Sequence, residues 1–339
     1  MLVRALAPRI DLMMIRMTHR NWLLAIALLL LPLFAPAGES LPRAQGSDFR
    51  ALVWNVSGRQ FFDHRDGYVA ALRAIDADLL IFDELPGDRD GDDVLAILQS
   101  LNAKDAGEWQ VAYGSSGGRQ RVAIALRGPV APLRQFQHLP YPPSFLAWMR
   151  QLPFNPRQWQ FLDENLAAGI GASAAEVRLG GRRLIAVGVD LQCCGDSDDA
   201  WEERRRRVEA RSLRSVLERA WAARSPDAVI VAGDFNAVRG LRPVNLMQGD
   251  SGRPERRLAI VDASHANGID RWTWDGRGTP FPSRPLDFML HSRALRVQMA
   301  LVFDPETMSE DQRTRFGLDA DAFRPLSEHR PIVVDFAWR

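Results

Sequence analysis

Asp234 and Asn236 stand two residues apart behind Val229-Ile230-Val231-Ala232-Gly233, an apolar run that reads as a buried strand. In extended backbone such neighbours project to the same side. A carboxylate that accepts and an amide that donates would then face one ligand together, a pairing suited to activating water and gripping a phosphoryl group. Gly233 lets the chain turn sharply and approach a ligand closely. The stretch Gly233-Asp234-Phe235-Asn236 also suits an ordinary turn, because Gly, Asp and Asn are common turn residues.

Four further positions bear on that choice. Asn55 closes the strand-like Ala51-Leu52-Val53-Trp54, and Glu84 follows Leu79-Leu80-Ile81-Phe82-Asp83. Asp287 lies in Arg284-Pro285-Leu286-Asp287-Phe288-Met289-Leu290, and His329 in Ser327-Glu328-His329-Arg330-Pro331 ahead of a last strand, Ile332 to Phe336. Taken in this order, the five motifs resemble the endonuclease/exonuclease/phosphatase superfamily, the deoxyribonuclease-like metal-dependent phosphodiesterases and phosphatases. The resemblance runs from about Phe49 to Phe336.

The resemblance implies an α/β fold, a four-layer sandwich of two packed, mostly antiparallel β-sheets flanked by helices; periodicity alone reaches only mixed α/β. It also implies a site. Glu84 would be the principal ligand of Mg²⁺ or Mn²⁺, with Asn55 steadying the ion directly or through water and Glu328 beside it. Asn236 would donate to a phosphoryl oxygen, and Asp234 would orient or deprotonate the attacking water. His329 would act as general base when neutral or hold the phosphate when charged, with Asp287 fixing its tautomer. Arg284 and Trp274, the latter within Arg271-Trp272-Thr273-Trp274, are the candidates on the substrate side, with Asp190.

Several positions depart from the family pattern. Asp83 stands where relatives usually have glutamine, and Glu328 where they have aspartate. Ser57 falls where some carry a further carboxylate, so one metal is expected and a second is left open. Asp190 replaces a histidine thought to assist the leaving group. An aspartate there acts as a metal ligand, an acceptor or a protonated acid, not as a cation.

Strands are expected at Phe49 to Asn55, Asp78 to Phe82, Trp109 to Tyr113 and Arg121 to Leu126. A hairpin is expected from Glu176 to Leu191 about Gly180-Gly181. Helices are expected at Tyr68–Asp76, Val94 to Leu101 and Asp198 to Trp221. Arg204–Arg207 is accompanied by Glu202, Glu203 and Glu209 and reads as a solvated, ion-paired helix face. The Pro- and aromatic-rich stretch 139–165 reads as a lid, a membrane-facing loop, or a loop packed on the domain's flank.

The 339 residues, 46% hydrophobic and 25% charged, suffice for a full core, and no linker divides them. Residues 1–37 read as a signal peptide, with arginines before an apolar stretch from Trp22 to Phe34 and small residues at Ala35-Pro36-Ala37. An uncleaved anchor would need a longer span. A short linker, 38–47, and a single domain, 48–339, would follow. The leader holds four arginines and one aspartate, so its removal takes the net charge from +1 to −2. A chain of that charge is not expected to bind nucleic acid strongly and non-specifically. Cys193 and Cys194 are adjacent and read as packing residues, with a labile vicinal disulfide the alternative.

The expected protein is thus an exported monomer that hydrolyses phosphoesters with Mg²⁺ or Mn²⁺. The alternatives are a phosphate-ligand binding protein that kept the fold and lost turnover, and a secreted nuclease.

Overall fold

The computed structural model describes residues 38–101, 107–250 and 252–339, and the leader expected at 1–37 lies outside them. In chain order the strands are β1 (Phe49–Asn55), β2 (Leu79–Pro86), β3 (Trp109–Tyr113), β4 (Gln120–Arg127), β5 (Val130–Pro132), β6 (Ala172–Leu179), β7 (Arg182–Asp190), β8 (Ala228–Asp234), β9 (Ala259–Ile260), β10 (Asp287–His291), β11 (Leu295–Val302) and β12 (Ile332–Trp338). They form two six-stranded sheets, ordered β11-β12-β1-β2-β4-β3 and β5-β6-β7-β8-β10-β9. The pairs β1·β2 and β7·β8 are parallel, and the remaining neighbours antiparallel.

Alternation along each strand sorts side chains into layers. Ala51 and Val53 of β1, Leu79 and Ile81 of β2, Leu184 and Ala186 of β7, and Ile230 and Ala232 of β8 meet between the sheets. The alternate residues face outward. Leu52, Trp54, Leu80 and Phe82 pack with the helix Arg65–Ile75, and Ile185, Val187, Val229 and Val231 with the helix Trp201–Arg224. This is the four-layer sandwich expected. Gly188 lets the sheets approach: a methyl there would fall 2.3 Å from Val122 Cγ1 and 2.8 Å from Ile81 Cγ2. Among the described residues no helix is long and apolar enough to cross a membrane.

On β1, β2, β7, β8 and β10 the inward row carries a polar side chain at one end. Continuing the alternation gives Asn55 on β1, Asp83 on β2, Asp234 on β8 and, past Gly188, Asp190 on β7, while Asp287 opens the inward row of β10. Asn55 pairs across the sheet with Asp83, and Asp234 with both Asp190 and Asp287.

Gly233 holds the β8 end in place. Its φ is +144°, and an added Cβ would lie 1.9 Å from the Val189 carbonyl oxygen. Gly233→Ala is expected to cost about 3 kcal/mol of stability through strain and displacement of β7 from β8. Urea denaturation measures it, and an unchanged midpoint would contradict this close approach.

Some local expectations are revised. Stretch 139–165 is not a loop but carries the helices Pro143–Met149 and Pro156–Ala168, each with proline in its first turn and the second with an Asn155 capping box. Two elements have no counterpart in the sequence reading: β11, and a helix, Glu310–Phe316, between β11 and β12. The Arg204–Arg207 run is not a solvated face. Glu203, Arg205, Arg206 and Glu209 are buried, with Arg206 bonded to Glu203 and Arg205 to Glu209. Residues 38–47 hold no helix or strand but lie on the domain, where buried Arg50 donates to the Leu41 and Pro42 carbonyls and pairs with Asp335.

Candidate active site

His329 is buried and sits three residues before β12. Its Nδ1 donates to Asp287 Oδ2 at 2.8 Å, and its Nε2 faces Asp234 Oδ2 at 3.9 Å and Asn55 Nδ2 at 3.5 Å. The Asn55 amide also donates to Asp234 Oδ2 at 3.3 Å. The surrounding contacts fix these groups. His329 N–H donates to Ser327 Oγ, which donates to the Asn55 carbonyl, and Trp54 Nε1 donates to the His329 carbonyl. Thr273 Oγ1 accepts from the Leu286 and Asp287 backbone N–H groups, placing Asp287. The Asp-His pairing expected from the sequence is present.

Glu84 reaches the same place by an irregularity. Strict alternation would send it to the outer layer, one residue after inward Asp83. The β2·β4 register shifts between Phe82 and Leu85, and Glu84 has φ +57°. Such a bulge re-aims a side chain. Carboxylate oxygens of Glu84, Asp190 and Asp234 then lie within 4.8 Å of one another, and a second such group is Asp234, Asp287 and His329. Asp234 belongs to both.

Burial and mutual repulsion govern the electrostatics. Burial, then the Asp287 charge, pushes Asp234 up to about 7. Burial, then Glu84 and Asp234, raises Asp190 well above the usual carboxylate range. Asp83, expected only as a departure beside Glu84, is fully buried with neither carboxylate oxygen hydrogen-bonded, and burial followed by repulsion from Asp287 raises it strongly. For His329, burial acts downward, but the Asp287 charge and hydrogen bond outweigh it and hold the imidazole up at about 9. Of the two roles expected for His329, these surroundings favour the charged one.

The donor set fits a hard divalent cation. Glu84, Asp190 and Asp234 offer oxygen only, and three clustered acids call for positive charge. Glu328, expected as a ligand, joins neither group; its Oε2 instead accepts from Trp274 Nε1 at 3.2 Å. Asp190, expected on the substrate side, stands with Glu84. Asn55 Oδ1 accepts from Ser57 N–H at 3.1 Å. Asn236 is left-handed (φ +46°) and not extended as expected, yet it lines the same cavity as Asp234. Its Nδ2 donates to the Leu191 carbonyl at 2.8 Å, which leaves one amide hydrogen for a ligand.

Two cavities meet at Glu84 and Asn236. One, of about 620 Å³, is walled by Arg119, Phe154, Phe161, Leu162 and Trp201 and reaches Asp190. The other, of about 530 Å³, holds Asp234 and His329 and is walled by Trp274, Phe281, Arg284 and Leu286. Arg284 Nη1 donates to the Val238 carbonyl at 3.1 Å. Stretch 139–165 thus packs on the domain's flank and also forms a wall of the cleft. Cys193 and Cys194, expected as packing residues, are exposed and line both cavities.

Residues 52–309 match the sequence profile of the Endonuclease/Exonuclease/phosphatase family. The chain belongs to the endonuclease/exonuclease/phosphatase family. A comparison with curated proteins gives no match. Among solved structures of the endonuclease/exonuclease/phosphatase fold, the chain is similar to the human Nocturnin catalytic domain with bound sulfate anion, at a TM-score of 0.55 and 18% identity, covering 88% of this chain and 97% of that one. It is similar to ANGEL2, a 2',3'-cyclic phosphatase, at 0.55 and 13% identity, covering 87% and 96%. A third is an endonuclease/exonuclease/phosphatase from Beutenbergia cavernae, at 0.52 and 18%, covering 86% and 72%. Likeness at these identities carries the fold.

Proposed function

We propose that this chain is an exported, monomeric hydrolase of phosphoester bonds, a phosphodiesterase or phosphatase that works with Mg²⁺ or Mn²⁺. The observation that carries the reading is the convergence of Glu84, Asp190 and Asp234 beside the hydrogen-bonded Asp287–His329 pair, at the mouth of two cavities. Glu84, Asp190 and Asp234 would hold a divalent ion, which would supply charge neutralisation for the phosphoryl oxygens.

The chain's own residues do the rest. His329, charged and pinned through Nδ1, presents Nε2 to the cleft, where it holds a phosphoryl oxygen or passes a proton. Asp287 keeps that orientation. Asp234, between the imidazole and the acidic group, orients the attacking water, and the remaining Asn236 hydrogen serves a phosphoryl oxygen. Trp274 and Arg284 line the side on which a substituent of the phosphate would lie.

The charge of −2 left after the leader, read from the sequence, favours small phosphoesters or phospholipid headgroups over bulk nucleic acid. Peripheral membrane contact through 139–165 would rest on a few residues such as half-exposed Phe161, because Phe145, Met149 and Leu162 are turned into the core. The structure offers no observation that favours a turnover-dead binding protein.

A panel of phosphomonoesters and phosphodiesters assayed with Mg²⁺, Mn²⁺ and excess EDTA tests the proposal. Hydrolysis is expected with either metal and a loss of about a thousandfold on chelation. Turnover indifferent to EDTA, or tight phosphate binding with no turnover on any ester, would overturn it.

A further inference from the structure

Two adjacent thiols stand at the junction of the two cavities, and the hydrolytic chemistry makes no use of them. Cys193 and Cys194 lie on the loop that leaves β7 after Asp190, and their Sγ atoms are 2.9 Å apart. The chain turns at this point through two consecutive left-handed residues, Cys194 (φ +69°) and Gly195 (φ +68°).

The loop is firmly mounted. Buried Arg206 donates to the Gln192 carbonyl at 2.8 Å, to the Gly195 carbonyl at 2.9 Å and to the Cys194 carbonyl. Arg206 is itself held by Glu203 at 2.9 Å, and Glu209 accepts the Gln192 N–H at 2.8 Å. The buried face of the long helix, whose charges the sequence suggests belong in solvent, therefore clamps the segment that carries the thiols. A pair held this way stays close without waiting on loop fluctuations.

The two sulfurs are also unlike. Either sulfur can donate in their contact; the hydrogen bond with Cys193 lowers the Cys194 thiol to about 6 against burial and Glu202, and Arg206, which donates to the Cys194 carbonyl, adds its positive charge on that side. Cys194 suits the role of attacking thiolate and Cys193 that of resolving thiol.

We propose that Cys193 and Cys194 form a thiol–disulfide exchange site on the lip of the cleft, which reacts with low-molecular-weight disulfides and cycles between a dithiol and a vicinal disulfide. The Cys194 thiolate attacks one sulfur of RSSR, the S–S bond breaks, and one RS⁻ leaves and takes up a proton. Cys193 then gives up its proton and attacks Cys194 Sγ in the mixed disulfide, forming the intramolecular bond and expelling the second RSH. The two cysteine sulfurs are oxidised and RSSR is reduced to two thiols. The ring that closes is strained, so a thiol in excess reopens it. While the mixed disulfide stands, its R group lies between the two cavities beside Glu84 and Asn236 and blocks the cleft. That second consequence rests on the hydrolase reading; the exchange does not.

The exchange is read by mass. The full chain is treated with glutathione disulfide, quenched with iodoacetamide and weighed intact. The wild type is expected to take up neither glutathione nor alkyl groups, and after dithiothreitol to take up two alkyl groups. Cys193→Ser is expected to retain one glutathione, because its resolving thiol is gone. Cys194→Ser is expected to react about tenfold more slowly than Cys193→Ser. Two alkyl groups on wild type after oxidant would overturn the exchange site, and equal rates in the two variants would overturn the assignment of Cys194 as the attacking thiol.

Hydrolysis of the best ester from the panel is the second readout. Glutathionylated Cys193→Ser is expected to lose about tenfold or more in turnover and to regain it with dithiothreitol, while the unmodified variant matches wild type. Full activity with glutathione in place would overturn the blocking role and leave the mass result standing. A protein that hydrolyses no ester in either state would sink the functional proposal but not the exchange.

Discussion

His329→Ala is expected to lower phosphoester turnover about a thousandfold or more, equivalent to roughly 4 kcal/mol of transition-state stabilisation. The imidazole links Asp287, bonded at 2.8 Å through one nitrogen, to Asp234 and Asn55, which face the other. Its removal takes a positive charge from a pocket where Asp83, Asp190 and Asp234 are already raised by burial and repulsion. It also leaves Asp287 unpartnered, since Oδ1 already has no hydrogen bond. His329→Gln, which keeps a donor, separates chemistry from packing. It should fold like wild type by circular dichroism and still lose most of the rate. Asp287→Asn should lose less than the alanine variant, because it misplaces the imidazole without deleting it. Steady-state kinetics with Mn²⁺ checks the series, and an alanine variant within tenfold of wild type would remove His329 from the reaction.

Glu84→Gln should separate cation binding from folding. The substitution keeps shape and removes charge at a carboxylate whose left-handed backbone and bulge serve only to aim it. Affinity for Mn²⁺ is expected to fall about a hundredfold, and turnover at fixed metal at least as far. Thermal unfolding gives the opposite sign in the two states. Without metal the variant should be as stable as wild type or more so, because Glu84 helps to push up Asp83, Asp190 and Asp234. With Mn²⁺ at about a hundred times its dissociation constant, wild type should gain roughly 2.7 kcal/mol and the variant little. Equal stabilisation of both by Mn²⁺ would place the ion elsewhere.

The sequence marked the right strand ends because an inward row of apolar residues that stops on Asn55, Asp234 or Asp287 leaves its mark in alternation. Beyond the Asp287–His329 pair, it did not show which side chains meet. The bulge at Glu84 comes from a mismatch with β4, a partner more than thirty residues away, and no local pattern near Glu84 signals it. Asp83 was in view as an oddity, and counting inward positions from Leu79 and Ile81 would have placed it in the interior. Glu328 sits next to His329 in sequence but is bonded to Trp274 instead. Charge density misled at Arg205 and Arg206, because a run of four arginines reads as solvent-facing until buried partners at Glu203 and Glu209 are seen. Proline misled at 139–165. Pro143 and Pro156 begin helices, where a missing N–H costs nothing.

The place of β12 has a consequence for folding. This strand lies between β11 and β1, and its Asp335 closes on Arg50 across 285 residues of sequence. Until it docks, β1 has an open edge and His329 has no seat. Docking of β12 covers an unpaired strand edge and seats the imidazole in a single event.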